Sequence, residues 1–517
     1  MRYRLNLLLA VLTVPVAAQR QPPDGRRGRG GVEGGAAAIT AEDVRRRIGV
    51  IAADSMLGRA TPSPQLDQVA AYVAAEFRRF GLTPGGDSGT YLQRYPLEVQ
   101  RFDPDSASIR IAGPMPATWR TGQDVLLIDG QPPSGDSAGA GVVITGSPQG
   151  AAALDSAAVT GRVVFLAYGP SVNAIAVKVL PLRPLALLLV ADFPDSIWAK
   201  LPGHAASVSV RNPSEEGGSA IPAVFAVRAA TARALFTRAG VPADSLRVWG
   251  DRPLAAHPLA DVRMQLAVHQ QLLQRTSAPN VVGILEGADA TLKKEYVLFT
   301  AHMDHIGTPG AGEGCTARGA DSICNGADDD GSGTVAVIEL AQAFTTARER
   351  PKRSLVFMTV SGEERGLWGS AYFADHPTVP LAKVVADLNS DMVGRNAKDT
   401  VAVIGREHSN LGRVVDSIAL AHPELNIKPV GDLWPQEGLY YRSDHYNFAK
   451  KGVPILFFTT GLHPDYHQVS DSPDKIDAEK EARFARLVFY LGVAVANTTA
   501  RPQWNAASYK QIVGGTN

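Results

Sequence analysis

Five short segments in the second half of the chain carry side chains that bind divalent cations or move protons. They are His302-Met303-Asp304-His305, the stretch Asn325 to Gly333 with Asp328-Asp329-Asp330 inside it, Gly362-Glu363-Glu364, Asn389-Ser390-Asp391, and His463-Pro464-Asp465-Tyr466-His467. Each alone has an ordinary explanation. The aspartate triplet suits a helix N-terminus, where carboxylates are favoured, and the glutamate pair suits a solvated turn. Gathered at one place, two imidazoles and at least three carboxylates repel or stay unpaired unless a cation neutralises them. Imidazole and carboxylate without thiolate suit borderline divalent metals, zinc first, and the carboxylate excess suits two ions sharing a bridging aspartate.

The surrounding pattern supplies a way to gather them. From Pro279 onward strand and helix alternate, the mark of an α/β domain with a mostly parallel sheet. Strands are expected at Asn280–Leu285, Tyr296–His302, Ser354–Val360, Val384–Asp391, Val401–Ile404 and Val453–Thr459. Helices are expected at about Gly333–Ala347, Leu367–Asp375, Asn410–Ala421, Ser443–Lys450 and Glu479–Ala496. The chemical segments fall where expected strands end, and the crevice beyond the carboxyl ends of strands is where ligands bind in open α/β sheets. Upstream, residues 40–98 read as two helices, the first capped by Thr40 and the second running from Ser63 to Phe80 and stopping at Gly81. Residues 102–257 shift to short β-rich runs with one helix, Ala229 to Ala239, and hold no His/Asp/Glu cluster. They read as an inserted β-rich module that covers or shapes a site elsewhere.

Composition narrows the function further. The 517 residues include 51 Lys+Arg and 51 Asp+Glu, a balance that argues against a nucleic-acid binder. Two cysteines exclude a disulfide scaffold or a cysteine-ligated zinc ribbon. Arg2 and Arg4 precede an apolar run, Leu7 to Val16, and then Ala17 and Ala18, so residues 1–18 read as a secretory signal. Gln19 to Ala38 is Gly-, Arg- and Pro-rich and reads as a flexible leader. No later run is long enough for stable membrane insertion; the best, Leu180 to Val190, is interrupted by Arg183 and reads as buried strand. Cys315 and Cys324 bracket a loop just before Asp328; in an exported protein they are expected to pair, although two thiols are also compatible with the sequence.

The order His-x-Asp, Gly-Ala-Asp-Asp-Asp, Glu-Glu, Asn-x-Asp-Met and Tyr-His-x-x-x-Asp resembles the di-zinc secreted aminopeptidases and glutamate carboxypeptidases. The resemblance covers roughly residues 279–500 and implies a mixed, mostly parallel sheet sandwiched by helices, in a catalytic domain expected at 258–500. Residues 102–257 would be an inserted protease-associated domain, residues 39–101 a helical part packing on the catalytic domain, and 501–517 a tail. It implies two Zn2+ ions per subunit and peptide substrates. Asp328 would bridge the ions, His302 and Asp391 would complete one, and Glu364 and His467 the other. Glu363 would be the general base acting on a metal-bridging water, Asp304 would orient His302, and Tyr466 would stabilise the oxyanion. Asp329 would follow the bridging ligand through a peptide that is often cis in the family.

Several alternatives stay open at this level. Ser443-Asp444-His445 admits a serine nucleophile, but no nucleophile elbow is present. Arg442 is either a clamp for a substrate carboxylate, which favours a carboxypeptidase, or a surface ion pair. His305 and His463 either line the pocket or lie on the surface, and Asp471 either holds His467 from behind or caps a helix. A receptor or scaffold that has kept the fold is a third class of function, and single-zinc glutaminyl cyclase chemistry is disfavoured by the full bridging set.

Overall fold

The computed structural model describes residues 32–514 apart from 104–106, 114, 131–134, 149–153, 170, 200–207, 215–221, 239–252 and 312–313. The expected signal segment and the leader up to residue 31 lie outside the described residues. Val32–Ala36, expected to be leader, is a helix packed on the core. Its small residues allow that approach: a Cβ on Gly35 would come within 2.7 Å of the Phe489 ring. A glycine-rich run read as having nothing to bury buries backbone instead.

Among the described residues the main sheet has ten strands, and its centre is parallel. Strands Ser354–Val360, Tyr296–His302, Val384–Ser390 and Ile455–Thr459 lie side by side in that order, all running the same way. Every one of them is buried or nearly so along its length, as expected for a sheet covered on both faces. Antiparallel strands flank this centre: Gln270–Leu285 and Leu92–Phe102 on one side, Thr400–Ile404 on the other.

Helices close both faces. Ala41–Ile51, Pro64–Phe80, Gly333–Thr346 and Ala478–Asn497 share one core with residues such as Phe77, Phe299, Phe344 and Phe357. Trp368–Asp375 and His445–Lys450 cover the other face through Phe373 and Phe448. Local chemistry sets the helix ends. Thr40 accepts a hydrogen bond from the Asp43 amide at 3.1 Å, and Ser63 accepts one from Leu66 at 3.0 Å with Pro64 following it. Gly81 ends the second helix at a φ of 79°.

The described residues of the inserted region form a second sheet of eight strands, around a core that includes Phe165, Phe225 and Phe236. Strand Ala255–Val268 belongs to it, so the insertion runs past the expected boundary at His257. The expected buried strand near Leu180 begins later, at Ala186, after a short turn of helix. The insertion is tied in by strand Val208–Arg211, which pairs with Leu92–Phe102 at the edge of the main sheet.

Candidate metal centre

Because the four central strands are parallel, they deliver their following residues to one edge. His302 closes its strand, Glu363 and Glu364 follow Val360 by a short turn, Asp391 follows Ser390, and the loop after Thr459 brings His463 to His467. The aspartate triplet sits just ahead of helix Gly333–Thr346 and is buried throughout. Gly326, at a φ of 59°, makes the tight turn into it; a Cβ there would lie 2.2 Å from the Asp329 carbonyl oxygen.

Asp329 occupies the middle. Its Oδ1 lies 3.4 Å from His302 Nε2, and its Oδ2 lies 3.2 Å from His467 Nε2. On the first side, Asp391 Oδ1 is 3.7 Å and Glu363 Oε2 4.0 Å from the same His302 nitrogen. On the second side, Glu364 Oε2 is 3.1 Å from His467 Nε2. One carboxylate thus faces both imidazoles, one oxygen to each.

This corrects the expected assignment of Asp328. That side chain is turned away: its Oδ1 accepts from the Gly394 amide at 2.7 Å, and its Oδ2 meets His463 Nε2 at 3.2 Å. The cis peptide, expected before Asp329, lies between Asp329 and Asp330. Asp330 also approaches His302 and Asp391 closely enough for the three to hold one ion. Its oxygens, however, accept from the amides of Gly333, Met392 and His302 at 2.8, 3.1 and 3.2 Å, so it serves as scaffold.

The other expected residues assemble. Asp304 lies behind His302, with its carbonyl oxygen 3.3 Å and its Oδ1 3.6 Å from Nδ1. The same carboxylate accepts from the Gly362 amide at 2.8 Å and the Glu363 amide at 3.4 Å, fixing the glutamate turn. Tyr466 stacks on the His467 ring with centroids 3.9 Å apart. Tyr466 also lines an open pocket of about 410 Å³ together with His302, Asp329, Glu363 and Asp391. Among the described residues, those lining that pocket all fall between His302 and Tyr466.

Three residues left open in the sequence find their places. His305 is buried and its Nδ1 bonds Glu364 Oε1 at 2.8 Å, beside the second imidazole. The Asp471 carboxylate accepts from the amides of Asp328 and Asp329 at 3.0 and 3.1 Å, so it holds the aspartate turn. Arg442 lines the pocket and pairs with Glu437 at 3.6 Å. The serine nucleophile has no partner base: Ser443 accepts from Asn389, and His445 Nε2 bonds the Tyr440 carbonyl. Cys315 and Cys324 are disulfide-bonded.

The donor set fits divalent cations. His467 Nε2 and Asp329 Oδ2 are buried and close together, yet neither makes a hydrogen bond, an expensive state for polar groups without a cation between them. Burial pushes the Glu363 carboxyl well above the usual range, and Glu364 and Asp391 add to the push against His302. Burial also raises Glu364, but His305 and His467 bring it down to about 2. Burial works against a charged His467, while Asp329 and Glu364 lift it to about 10.

A pH dependence of metal binding follows. Below about 10, metal-free His467 holds a proton that must leave before its nitrogen can donate to a metal. Zinc affinity is therefore expected to rise with pH, about tenfold per pH unit for each proton displaced. Calorimetric zinc titration at two neutral pH values, in buffers of different ionisation enthalpy, reads both the slope and the released proton. Equal affinity at the two values contradicts it.

Residues 280–492 match the model of Peptidase family M28. A probable leucine aminopeptidase of Arthroderma benhamiae is 29% identical over 241 residues, covering 43% of this chain and 65% of its own length. A probable zinc metalloprotease of Pyricularia oryzae is 34% identical over 288 residues, covering 48% of this chain and 54% of its own. The chain thus spans less than two thirds of either relative. An aminopeptidase from Aneurinibacillus sp. strain AM-1 shares the fold, with a TM-score of 0.51 and 18% identity over 91% of this chain and 97% of that one.

Proposed function

From a chain whose residues 280–492 match the model of Peptidase family M28, we propose an exported zinc metallopeptidase that removes N-terminal residues from peptides. The observation that carries this reading is Asp329, with one carboxylate oxygen toward His302 and the other toward His467. Asp329, His302 and Asp391 would hold one Zn2+, and Asp329, Glu364 and His467 the other. Bound zinc supplies Lewis acidity at the scissile carbonyl and acidifies water there.

The chain's own groups do the rest. Glu363, beside the donors but paired with none of them by a hydrogen bond, takes the proton of the attacking water on its carboxylate and passes it to the leaving amine. Asp304 keeps His302 and the Glu363 turn in register, the usual outer-shell device. The Tyr466 phenol donates a hydrogen bond to the oxygen that gains charge; burial, then Asp329, Glu364 and Glu363, push its ionisation up, so the proton stays available. Met392, Leu439, Phe457 and Leu462 give the pocket an apolar wall suited to an apolar side chain. A free α-amine suits the carboxylates of Asp329, Glu363 and Asp391 that line the same pocket.

Arg442 sustains a second reading, because it lines the same pocket and a carboxypeptidase needs a cation for the substrate carboxylate. Its pairing with Glu437 weighs against that. Export rests on the sequence of residues 1–18 and fits the Cys315–Cys324 disulfide. No helix among the described residues is long and apolar enough to cross a membrane.

Hydrolysis of a leucyl arylamide beside its N-acetylated twin tests the proposal, with chelator and zinc add-back. Cleavage of the free amine alone, lost with chelator and restored by zinc, is expected. Cleavage only of peptides with a free C-terminus moves the assignment to a carboxypeptidase.

A further inference from the structure

The segment Ala52–Thr61 lies outside the family match, yet it backs the loops of the centre. Arg59 is fully buried. Its Nε donates to the Met303 carbonyl at 2.7 Å, its Nη1 donates to the Asn325 carbonyl, and its Nη2 donates to the Gly326 and Asp329 carbonyls at 2.6 and 3.2 Å. One guanidinium therefore joins the turn that carries His302 to the turn that carries Asp329.

The backbone around it is built to bring it there. Arg59 has a φ of 41° and follows Gly58 at 64°. A Cβ on Gly58 would lie 2.3 Å from the Cys324 carbonyl oxygen and 2.7 Å from that of Gly307, so only glycine permits the approach. The Gly58 carbonyl accepts from the Gly307 amide at 3.1 Å, and the Arg59 carbonyl from the His305 amide at 3.4 Å. Two residues on, Thr61 donates to Asp304 Oδ2 at 2.8 Å.

Carbonyl partners alone do not explain a charged side chain at this depth. A buried guanidinium bonded only to carbonyls persists where negative charge surrounds it, and Asp329, Asp304, Asp330 and Asp471 are the carboxylates that act on it. A planar fork also spans several acceptors in fixed directions, which an ammonium does not.

We propose that Arg59 is a positioning residue of the metal centre, holding the His302 and Asp329 turns in the register that lets one carboxylate serve both imidazoles, and so setting how tightly zinc is retained. This rests on the metallopeptidase reading above. The test compares wild type, Arg59→Lys and Arg59→Met for zinc kept per chain after dialysis against graded chelator. Thermal unfolding and kcat and KM on leucyl arylamide are measured alongside. Arg59→Met is expected to release zinc at chelator concentrations roughly 10–100-fold lower than wild type, with kcat falling and KM within about twofold. Arg59→Lys is expected to lie between, and excess zinc to restore its kcat. Wild-type zinc retention in folded Arg59→Met overturns the inference. Should that variant not fold, wild-type retention in Arg59→Lys overturns it equally. A wild type that holds no zinc removes the metallopeptidase reading and this inference together, whereas a zinc-replete wild type with unchanged variants removes this inference alone.

Discussion

Asp329→Asn is expected to lower kcat/KM about a thousandfold or more and to leave the protein short of zinc, while Asp328→Asn keeps both within about tenfold. The two residues are adjacent and both fully or almost fully buried, so burial does not separate them. Direction does. Asp329 presents one oxygen to each imidazole, at 3.4 and 3.2 Å, whereas Asp328 is occupied by Gly394 and His463. On the proposed two-zinc reading, an amide in place of Asp329 would remove the charge that both ions would share, and with it the several kcal/mol that metal polarisation would supply; at about 1.4 kcal/mol per decade this is three orders or more. An asparagine at 328 still accepts from the Gly394 amide through its side-chain oxygen. Kinetics and zinc content measured side by side decide it. The reverse pattern would return the bridging role to Asp328.

Glu363→Gln is expected to cut kcat by roughly 10²–10⁴ while zinc content stays at the wild-type level. Glutamine keeps the shape and can still donate or accept a hydrogen bond, but it cannot take a proton from water. The carboxylate is placed for that task. Glu363 Oε2 lies 4.0 Å from His302 Nε2, and its amide is held by Asp304 at 3.4 Å. Glu364, one residue on, points to His305 and His467 instead. On the proposed reading, neighbouring glutamates would divide into base and ligand by the direction of one turn. Turnover within about tenfold of wild type would remove Glu363 from the role of base.

Much of this arrangement was legible in the chain. The apolar runs that become Tyr296–His302 and Ser354–Val360 carry their strand boundaries in the sequence, because charged or turn-forming residues stop each of them. Parallel strands then bring His302, Glu363, Glu364 and Asp391 to one edge, so the gathering of these side chains could be read before the geometry. The choice among Asp328, Asp329 and Asp330 could not. Three consecutive aspartates differ only in where the backbone aims them, and that is set by Asp471 and Arg59, distant in sequence and in contact only after folding. Arg59 left no signal because it lies between the two expected helices, where a lone arginine after Gly58 shows nothing of the carbonyl groups it meets once the chain has folded. The insertion's end at Val268 and the helix Val32–Ala36 were missed for a related reason: composition marks exposed or β-rich texture but not which residues a neighbouring core will cover.

The most direct test of the di-zinc aminopeptidase account is to add zinc stepwise to metal-depleted protein while following leucyl arylamide hydrolysis. Activity is expected to rise with added zinc and to level off at two equivalents per chain. Activity indifferent to zinc, or complete at a single equivalent, would contradict a centre in which Asp329 is shared between two ions.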